Sequence, residues 1–336
     1  MSSRNMSPTT NQVLPSLSEI EAAAAIVGRF VLPTPQHSWP LLSQRAGCEV
    51  WIKHENHTQV GAFKVRGCIT YMDWLRRNHP EVPGVIAATT GNHGQSQTWA
   101  ARHFGLQSVV VVPKGNSREK TAAMRALGAE VVEHGEDFHA AYHQADVLAQ
   151  ERGLRRLHSF DLLLVLGVAT SALELFRSVP DLDAVFVPIG WGSGAAALAS
   201  VRNALGLKTK IIGAVASSAP SYALSFAAGR IVEQKSSTRI ADGIAISRVH
   251  EQAFEILREE LHDVVQVTDD EIEEAMRVIF SDTHNVAEGA GAVAVAALLK
   301  NKTSWQNKRI AAVLSGGNID REIFVRVLSK AASAGL

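Results

Sequence analysis

The sequence predicts an α/β protein made of two lobes, each with mostly parallel strands flanked by helices. Short apolar runs typical of buried strands alternate with segments whose apolar residues recur at helical spacing. The chain has 336 residues, of which 46% are hydrophobic, and this is enough for two cores. We therefore expect a ligand to bind in a cleft between the lobes, at the carboxyl ends of the strands.

The first lobe follows a stretch rich in Ser, Thr, Asn and Pro. We expect residues 1–15 to form a loose arm, and a helix over 20–26 to begin with a capping box of Ser18 and Glu21. The next predicted elements are strands at 50–53, 84–89, 108–113 and 129–133 and helices at 68–75, 92–104, 118–127 and 137–151.

The second lobe continues the alternation after residue 180. Its predicted elements are strands at 184–189, 210–215, 262–267 and 309–314 and helices at 194–205, 221–228, 249–261, 269–282, from 289 onward and 320–332. On the helix 269–282 we expect Glu271, Glu273 and Glu274 to form a solvated face.

Composition narrows the class of partner. Lys+Arg and Asp+Glu are both 33, so the net charge is zero, and no basic run favours nucleic acid or an anionic membrane. Cys48 and Cys68 stand in no CxxC or zinc spacing, which predicts a reducing compartment without disulfides. No stretch has the features of a signal peptide or a membrane span. We expect a cytoplasmic protein with a small-molecule ligand.

The stretch from Gly61 to Gly67 places Lys64 where a strand gives way to a helix. A lysine at a helix mouth can point into a cleft, where burial lowers its pKa and leaves a neutral amine able to attack a carbonyl. The alternative is a surface lysine whose stem lies along apolar neighbours. Three later stretches favour the first interpretation.

Two of these stretches are candidate anion-binding sites, and the third places a serine at the end of a strand. Thr89 to Gln95 joins a strand to a helix and suits a carboxylate, although a plain capped turn explains it equally well. Gly190 to Gly194 predicts a cradle for a phosphate monoester, because glycines let backbone N–H groups approach an oxyanion. Its spacing is GxGxG, and no acid follows the next strand to hold a dinucleotide ribose. Ser315 ends the strand 309–314, where it would leave a pyridine nitrogen largely unprotonated.

The order and spacing of these motifs resemble those of the fold-type II pyridoxal-phosphate enzymes, which have the tryptophan synthase β-like fold. The similarity runs from about residue 32 to the last helix and is greatest to the serine/threonine dehydratase (ammonia-lyase) and serine racemase group, including phenylserine dehydratase-like members. The motifs that carry it are Gly61 to Gly67, Thr89 to Gln95, Gly190 to Gly194, Ala241 to Gly243 and Ser315 to Asn318.

The resemblance implies a role for each residue of these motifs. Lys64 would hold pyridoxal 5′-phosphate as a Schiff base and later take the Cα proton of the substrate, with Thr90 as a second acid or base on the other ring face. The cofactor-binding residues would be Phe63, Lys64, Asn92, Gly190, Trp191, Gly192, Ser193, Gly194, Glu288 and Ser315. The substrate carboxylate would be held by Thr89, Thr90, Gly91 and His93.

The resemblance also implies the domain organisation. Residues 1–73 and 157–336 would form a large domain that binds the cofactor, and residues 74–156 a small mobile domain. By analogy with the family we expect a homodimer, and no effector domain appended after the last helix.

Several positions depart from the family pattern. Ala62 replaces a usual serine, and Trp191 and Ser193 interrupt a usual run of glycines. Val215 and Ser221 stand where metal-activated relatives place carboxylates, so we predict no metal site. The stretch 158–170 is shorter and more apolar than in relatives, which indicates either a larger side-chain pocket or a run of leucines in the core.

The predicted function is that of a dehydratase, or ammonia-lyase, which converts threonine, serine or threo-phenylserine by β-elimination to a 2-oxo acid and ammonia. The apolar departures favour the bulky substrate. An amino-acid racemase and a dehydratase of hydroxyectoine breakdown are alternatives on the same scaffold. A regulatory protein that binds the cofactor without catalysis is the alternative outside enzymes.

Overall fold

In the computed structural model, which describes residues 14–330, the strands form two separate sheets. The arm expected over residues 1–15 lies almost wholly outside the described residues. The strands are β1 (Gln36–Ser38), β2 (Glu49–His54), β3 (Gly84–Ala88), β4 (Gln107–Val112), β5 (Glu130–Glu133), β6 (Arg155–Arg156), β7 (Ala184–Pro188), β8 (Lys210–Ala216), β9 (Asp263–Val267) and β10 (Arg309–Leu314).

Thirteen α-helices join and cover these strands in the described part of the chain. They are α1 (Leu17–Val27), α2 (Pro40–Ala46), α3 (Lys64–Asn78), α4 (Asn92–His103), α5 (Arg118–Leu127), α6 (Phe138–Arg152), α7 (Leu162–Ser178), α8 (Ser193–Ala204), α9 (Ser221–Ala228), α10 (Glu251–Glu260), α11 (Asp269–Thr283), α12 (Gly289–Lys300) and α13 (Arg321–Ser329).

The large sheet has six strands in the order β1-β2-β10-β7-β8-β9, and the small sheet has four in the order β5-β4-β3-β6. Every pairing is parallel except that of β1 with β2. All residues of β3 are buried, as expected of a central parallel strand with helices on both faces. The predicted α/β class with two mostly parallel sheets is confirmed.

The core of the large sheet is built around α12. Its residues from Gly289 to Leu299 are all buried, because alanines and glycines let the helix lie close to the strands. A helix that is apolar all round belongs in an interior. Among the described residues, no helix has the length and apolar character needed to cross a membrane.

Four details differ from the sequence predictions. The capping box of α1 uses Ser16 and Glu19, two residues earlier than expected. The helix after the lysine turn begins at Lys64 itself. The predicted closing helix 320–332 is α13, which ends at Ser329, and residues 331–332 lie outside the described range. The stretch from Leu162, for which we predicted no helix, is the beginning of α7.

The expected solvated face of α11 is wrong for two of its three glutamates. Glu273 and Glu274 are only 4% and 7% exposed. Lys330 and Arg326 pair with the Glu273 carboxylate at 2.5 and 3.0 Å, and Arg277 pairs with Glu274 at 2.6 Å. Helix α13 lies over this face, so the glutamates are buried but paired.

Candidate active site

The turn before Lys64 is fixed by hydrogen bonds to the end of β10. Phe63 N donates to Ser315 O at 3.1 Å, and Gly317 N donates to Gly61 O at 3.0 Å. Gly61 has φ 67°, a left-handed conformation that suits glycine. The turn before Lys64 and the turn at Ser315 to Gly317 are far apart in sequence, but backbone hydrogen bonds hold them together.

Ala62 occupies the position of the family's usual serine. Its side chain is fully buried, and the Thr58 hydroxyl donates to its carbonyl at 2.9 Å and accepts from its N–H at 3.0 Å. The backbone on which Lys64 depends is thus held by Thr58 and needs no hydroxyl at residue 62.

Lys64 is the first residue of α3, and its Nζ lies 4.5 Å from the centroid of the Phe63 ring. Burial lowers the pKa of the Lys64 amine, and the negative charge of Glu288 opposes that shift. A lowered pKa increases the neutral fraction, which is the form able to attack a carbonyl or take a proton.

One cavity brings together most of the residues that the sequence singled out. Its predicted members are Phe63, Lys64, Asn92, Gly190, Trp191, Gly192, Ser193, Gly194, Glu288 and Ser315. All ten predicted cofactor-binding residues therefore line the same space. Ser159, Ile244 and Ala290 are further lining residues that we had not predicted.

The glycine-rich loop joins β7 to α8 along one side of this cavity. Gly192 has φ 99°, and the helix begins at the next residue, Ser193. The first N–H groups of a helix have no intrahelical partner, so they are available to an anion. The ring centroids of Trp191 and His250 are 6.4 Å apart, and those of His250 and Phe160 are 4.9 Å apart. The tryptophan thus joins an aromatic group while the loop keeps its helix-capping path.

Glu288 and Asn92 meet across the cavity. Asn92 Nδ2 donates to Glu288 Oε1 at 2.5 Å, and Asn318 Nδ2 donates to Asn92 Oδ1 at 2.9 Å. One N–H of the Asn92 amide is left for a ligand. Glu288 is 3% exposed, and its Oε2 has no hydrogen-bond partner in the described part of the chain. Burial raises the pKa of this carboxyl, and Lys120 opposes the shift.

The predicted carboxylate site lies at the end of β3, immediately before Asn92. Thr89 Oγ1 accepts from Gly91 N at 3.2 Å. His93 is 4% exposed, and its Nε2 has no hydrogen-bond partner among the described residues. Burial, and then the nearby Lys64 charge, lower the pKa of His93 to about 3. Of the stretch 89–93, only Asn92 lines the Lys64 cavity.

Sequence reasoning missed Lys120, which is 9% exposed. Its Nζ lies 2.7 Å from Asp242 Oδ2 and 3.7 Å from Glu288 Oε2. The signal for this contact in the sequence was weak. Asp242 stands in a motif that resembles the family, but no sequence pattern connects it to Lys120 on α5.

The sequence predictions also missed a network of charged side chains around Arg66, which follows Lys64 on α3. Arg66, fully buried, donates through Nε to Glu55 at 2.8 Å and through Nη1 to Glu174 at 2.7 Å. Lys53 Nζ donates to the same Glu174 at 2.6 Å. The sequence signal was the charged Lys53 directly after the apolar run Val50 to Ile52.

Ser221 is one of the two residues on which the prediction of no metal site rested. Its hydroxyl contacts the carbonyls of Gln234 at 3.0 Å and Ser247 at 2.8 Å. Within residues 14–330 no group of His, Cys, Asp and Glu side chains is arranged to hold a metal ion.

Comparison with known proteins identifies the family. The family described as "Pyridoxal-phosphate dependent enzyme" matches residues 27–316, most of the chain. The chain belongs to this family.

Its relatives include amino-acid lyases. The L-threonine ammonia-lyase of Thermotoga maritima is 33% identical over 94% of this chain and 78% of its own length. The processed form of threonine deaminase isoform 2 from Solanum lycopersicum has a TM-score of 0.85 and 30% identity, covering 96% of this chain and 98% of that one. Maize serine racemase has a TM-score of 0.87 and 25% identity, covering 93% and 96%.

The residues present fit the cofactor of this family. An amine able to form a covalent bond, a helix N-terminus for a phosphate, and a neutral hydroxyl at Ser315 line one cavity. The unpartnered Oε2 of Glu288 leaves a buried polar atom facing a possible ligand. The cofactor of this protein is pyridoxal phosphate.

Proposed function

We propose that the protein is an ammonia-lyase that removes the β-hydroxyl of a β-hydroxy-α-amino acid and releases a 2-oxo acid and ammonia. The observation that carries the proposal is the cavity in which the Lys64 amine faces the glycine-rich loop, Asn92 and Ser315. Similarity to L-threonine ammonia-lyases over nearly the whole chain supports the same reaction class. When bound, the cofactor supplies the electron-withdrawing ring that makes the substrate Cα proton acidic.

Lys64 has two tasks in this proposal. Its amine would hold the aldehyde of the bound cofactor, and as a free amine it would take the Cα proton of the substrate. The lowered pKa of Lys64 suits both tasks, because each needs the neutral amine. Phe63 backs the amine, and the first turn of α8 takes the phosphate.

The remaining roles belong to the substrate and to the leaving hydroxyl. Thr89, Thr90, Gly91 and His93 bind the carboxylate, with Thr90 placed as acid or base on the opposite face. Breaking the Cα–H and Cβ–O bonds releases water once the hydroxyl is protonated. The resulting enamine takes up water to give the 2-oxo acid and ammonia. Ser315, which carries no charge, would meet the ring nitrogen of the bound cofactor and leave it largely unprotonated, which would favour elimination.

Threonine, serine and threo-phenylserine are the substrates to compare. The run Leu162 to Leu166 gives no support for a large pocket, because it begins α7 and packs into the hydrophobic clusters. The aromatic group of Phe160, Trp191 and His250 does support an aromatic substrate, since neighbouring Ser159 lines the cavity.

The experiment is a substrate panel on purified wild type and Lys64→Ala, with Lys114→Ala as control. Lys114 is an exposed lysine paired with Glu136. We follow 2-oxo acid and ammonia release and the visible absorption of bound cofactor. We expect wild type and control to be yellow and active, with Lys64→Ala losing at least about 10³-fold in rate. A colourless wild type in excess pyridoxal phosphate contradicts the proposal.

A racemase is the second candidate, because maize serine racemase has the same fold. Racemisation needs an acid or base on each ring face, so Thr90→Ala should abolish it and spare Cα proton removal by Lys64. Chiral chromatography of the remaining amino acid separates the two activities. Binding of the cofactor with no turnover of any hydroxy amino acid identifies a regulatory protein instead.

We further propose that the chain acts as a cytoplasmic homodimer. Leu41, Phe280 and Val325 are 56%, 39% and 56% exposed on α2, α11 and α13, with α11 packing against both other helices. Exposed apolar side chains on adjoining helices favour contact with a second copy. Val325→Glu should yield monomers in light scattering, while Val147→Glu on α6 should not; dimers in both variants contradict the assignment of this face.

A further inference from the structure

The beginning of α5 contacts residues that belong to the large-sheet part of the chain. Ser117 Oγ donates to Asp320 Oδ1 at 2.5 Å, and Arg321 N donates to the Glu119 carboxylate at 3.2 Å. The next residue, Lys120, reaches deepest, with Asp242 and Glu288 as its partners. Ser117, Glu119 and Lys120 thus connect the part of the chain that carries the small sheet to the part that carries the large sheet.

The stem of Lys120 covers the turn proposed to hold the substrate carboxylate. A Cβ placed on Gly91 would lie 2.7 Å from Lys120 Cδ, so the stem of this lysine lies directly against the Gly91 backbone. The lysine therefore contacts the Gly91 turn with its methylenes and the acids of the other unit with its ammonium.

The charges that face Lys120 come from four elements. They are Lys64 on α3, Asp242 in the loop before α10, Glu288 before α12 and Asp320 before α13. Burial lowers the pKa of Lys120, but Glu288 and then Asp242 outweigh burial and raise it. The lysine therefore stays charged, and without it the acids would face an incoming carboxylate with less compensation.

We propose that Lys120 is a positioning residue that couples closure of residues 74–156 onto the rest of the chain to the charge of the cleft. Its ammonium holds Asp242 and Glu288, and its stem backs the Gly91 turn. Glu288 in turn holds Asn92 at 2.5 Å, so the lysine acts on the cofactor site through these two residues. The substrate part of this inference rests on the proposed function.

The test compares Lys120→Met, Lys120→Arg and Asp242→Asn with Lys114→Met in the holoenzyme. Lys114 belongs to the same unit, and its partner Glu136 is also exposed and in that unit. We measure hydrogen exchange of the amides at 117–121 and 89–94, the pH midpoint of the visible absorption of bound cofactor, and kcat and KM separately.

For Lys120→Met we expect exchange at least about fivefold faster and KM about tenfold higher. The absorption midpoint should move to higher pH, because loss of a positive neighbour raises the pKa of the Lys64 nitrogen. Lys120→Arg should recover most of each change, since it restores the charge. Asp242→Asn keeps the lysine but removes the charge of its partner, so it should accelerate amide hydrogen exchange at 117–121. This variant tests the proposal if Lys120→Met fails to fold.

A lower melting temperature with unchanged exchange, midpoint and KM in Lys120→Met overturns the proposal. Changes of equal size in Lys114→Met overturn it as well. Hydrogen exchange and the absorption midpoint need no substrate. They therefore test the lobe-bridging role of Lys120 even if no hydroxy amino acid is turned over and the proposed function fails.

Discussion

Two clusters of charged side chains meet at α3, and they differ in how completely their polar atoms are paired. The network below the helix contains Lys53, Arg66, Glu55 and Glu174. The three N–H groups of Lys53 have three acceptors, at 2.8 Å to Thr34 O, 3.0 Å to Gln36 and 2.6 Å to Glu174. Arg66 is paired with both carboxylates. This network is saturated.

The cleft cluster contains Lys64, Lys120, Asp242 and Glu288, and it is not saturated. Glu288 keeps an unpartnered Oε2 within the described residues, and Lys120 stands 3.7 Å from it. Burial would raise the pKa of both buried glutamates. In Glu55, Arg66 and Lys53 reverse that effect and lower the pKa, whereas the pKa of Glu288 remains raised.

Glu55 and Glu288 are both buried glutamates, so pairing rather than burial or residue type distinguishes the two clusters. A fully paired cluster fixes the fold and has no capacity left for a ligand. An incompletely paired one retains polar atoms and shifted pKa values that a cofactor or substrate can use.

The largest expected effect is on the saturated network. Arg66→Met leaves Glu55 buried without its main cation and should lower the free energy of unfolding by about 3–5 kcal/mol. Urea denaturation checks this. Arg152→Met, which removes an exposed pair with Glu130, is the control and should cost less than about 1 kcal/mol. If both variants lost the same free energy of unfolding, the buried network would contribute no more to stability than an exposed ion pair.

An acid titration examines one buried histidine from each region. Burial lowers the pKa of His54, beside Lys53, and of His93, in the cleft, from 6.5 to about 3. Between these pH values the unfolded chain binds a proton that the folded chain does not. Stability is therefore complete above about pH 6.5 and is lost toward pH 3, by about 1.4 kcal/mol per unit for each histidine.

Replacing either histidine should reduce this slope. We expect His54→Gln and His93→Asn each to flatten the dependence of the unfolding free energy on pH, measured by urea titration between pH 6.5 and 4. His139→Gln, at an exposed position, is the control substitution. Slopes equal to wild type in both buried variants would show that these histidines titrate alike in the folded and unfolded chain.

The smallest expected effect concerns support of Asn92. Asn318 Nδ2 also donates to Val60 O at 2.8 Å, so it holds Asn92 against the lysine turn. Asn318→Ala should weaken cofactor affinity about fivefold, the equivalent of one hydrogen bond of about 1 kcal/mol. Cofactor titration by visible absorption measures it, with exposed Asn78→Ala as control. An unchanged affinity would mean that Asn92 needs no such support.

Parts of the fold were predictable to different degrees. Most strands and helices alternate with clear periods, so their existence followed from the sequence. Helix α7 did not, because its first turns read Leu-Leu-Leu-Val-Leu and show no helical period. Burial of Glu273 was equally hidden, since its partners, Arg326 on α13 and Lys330 just after it, are more than fifty residues away.

The sequence by itself determined which residue types stand at the strand ends: Lys64, the glycine-rich loop and Ser315. Strand-to-helix turns leave local signals, so these residues could be found one stretch at a time. Only the tertiary structure decided the charge pairing. Lys120 meets Asp242 across 122 residues, and Arg66 meets Glu174 across 108. Such contacts depend on how whole elements pack, and no local pattern records that packing.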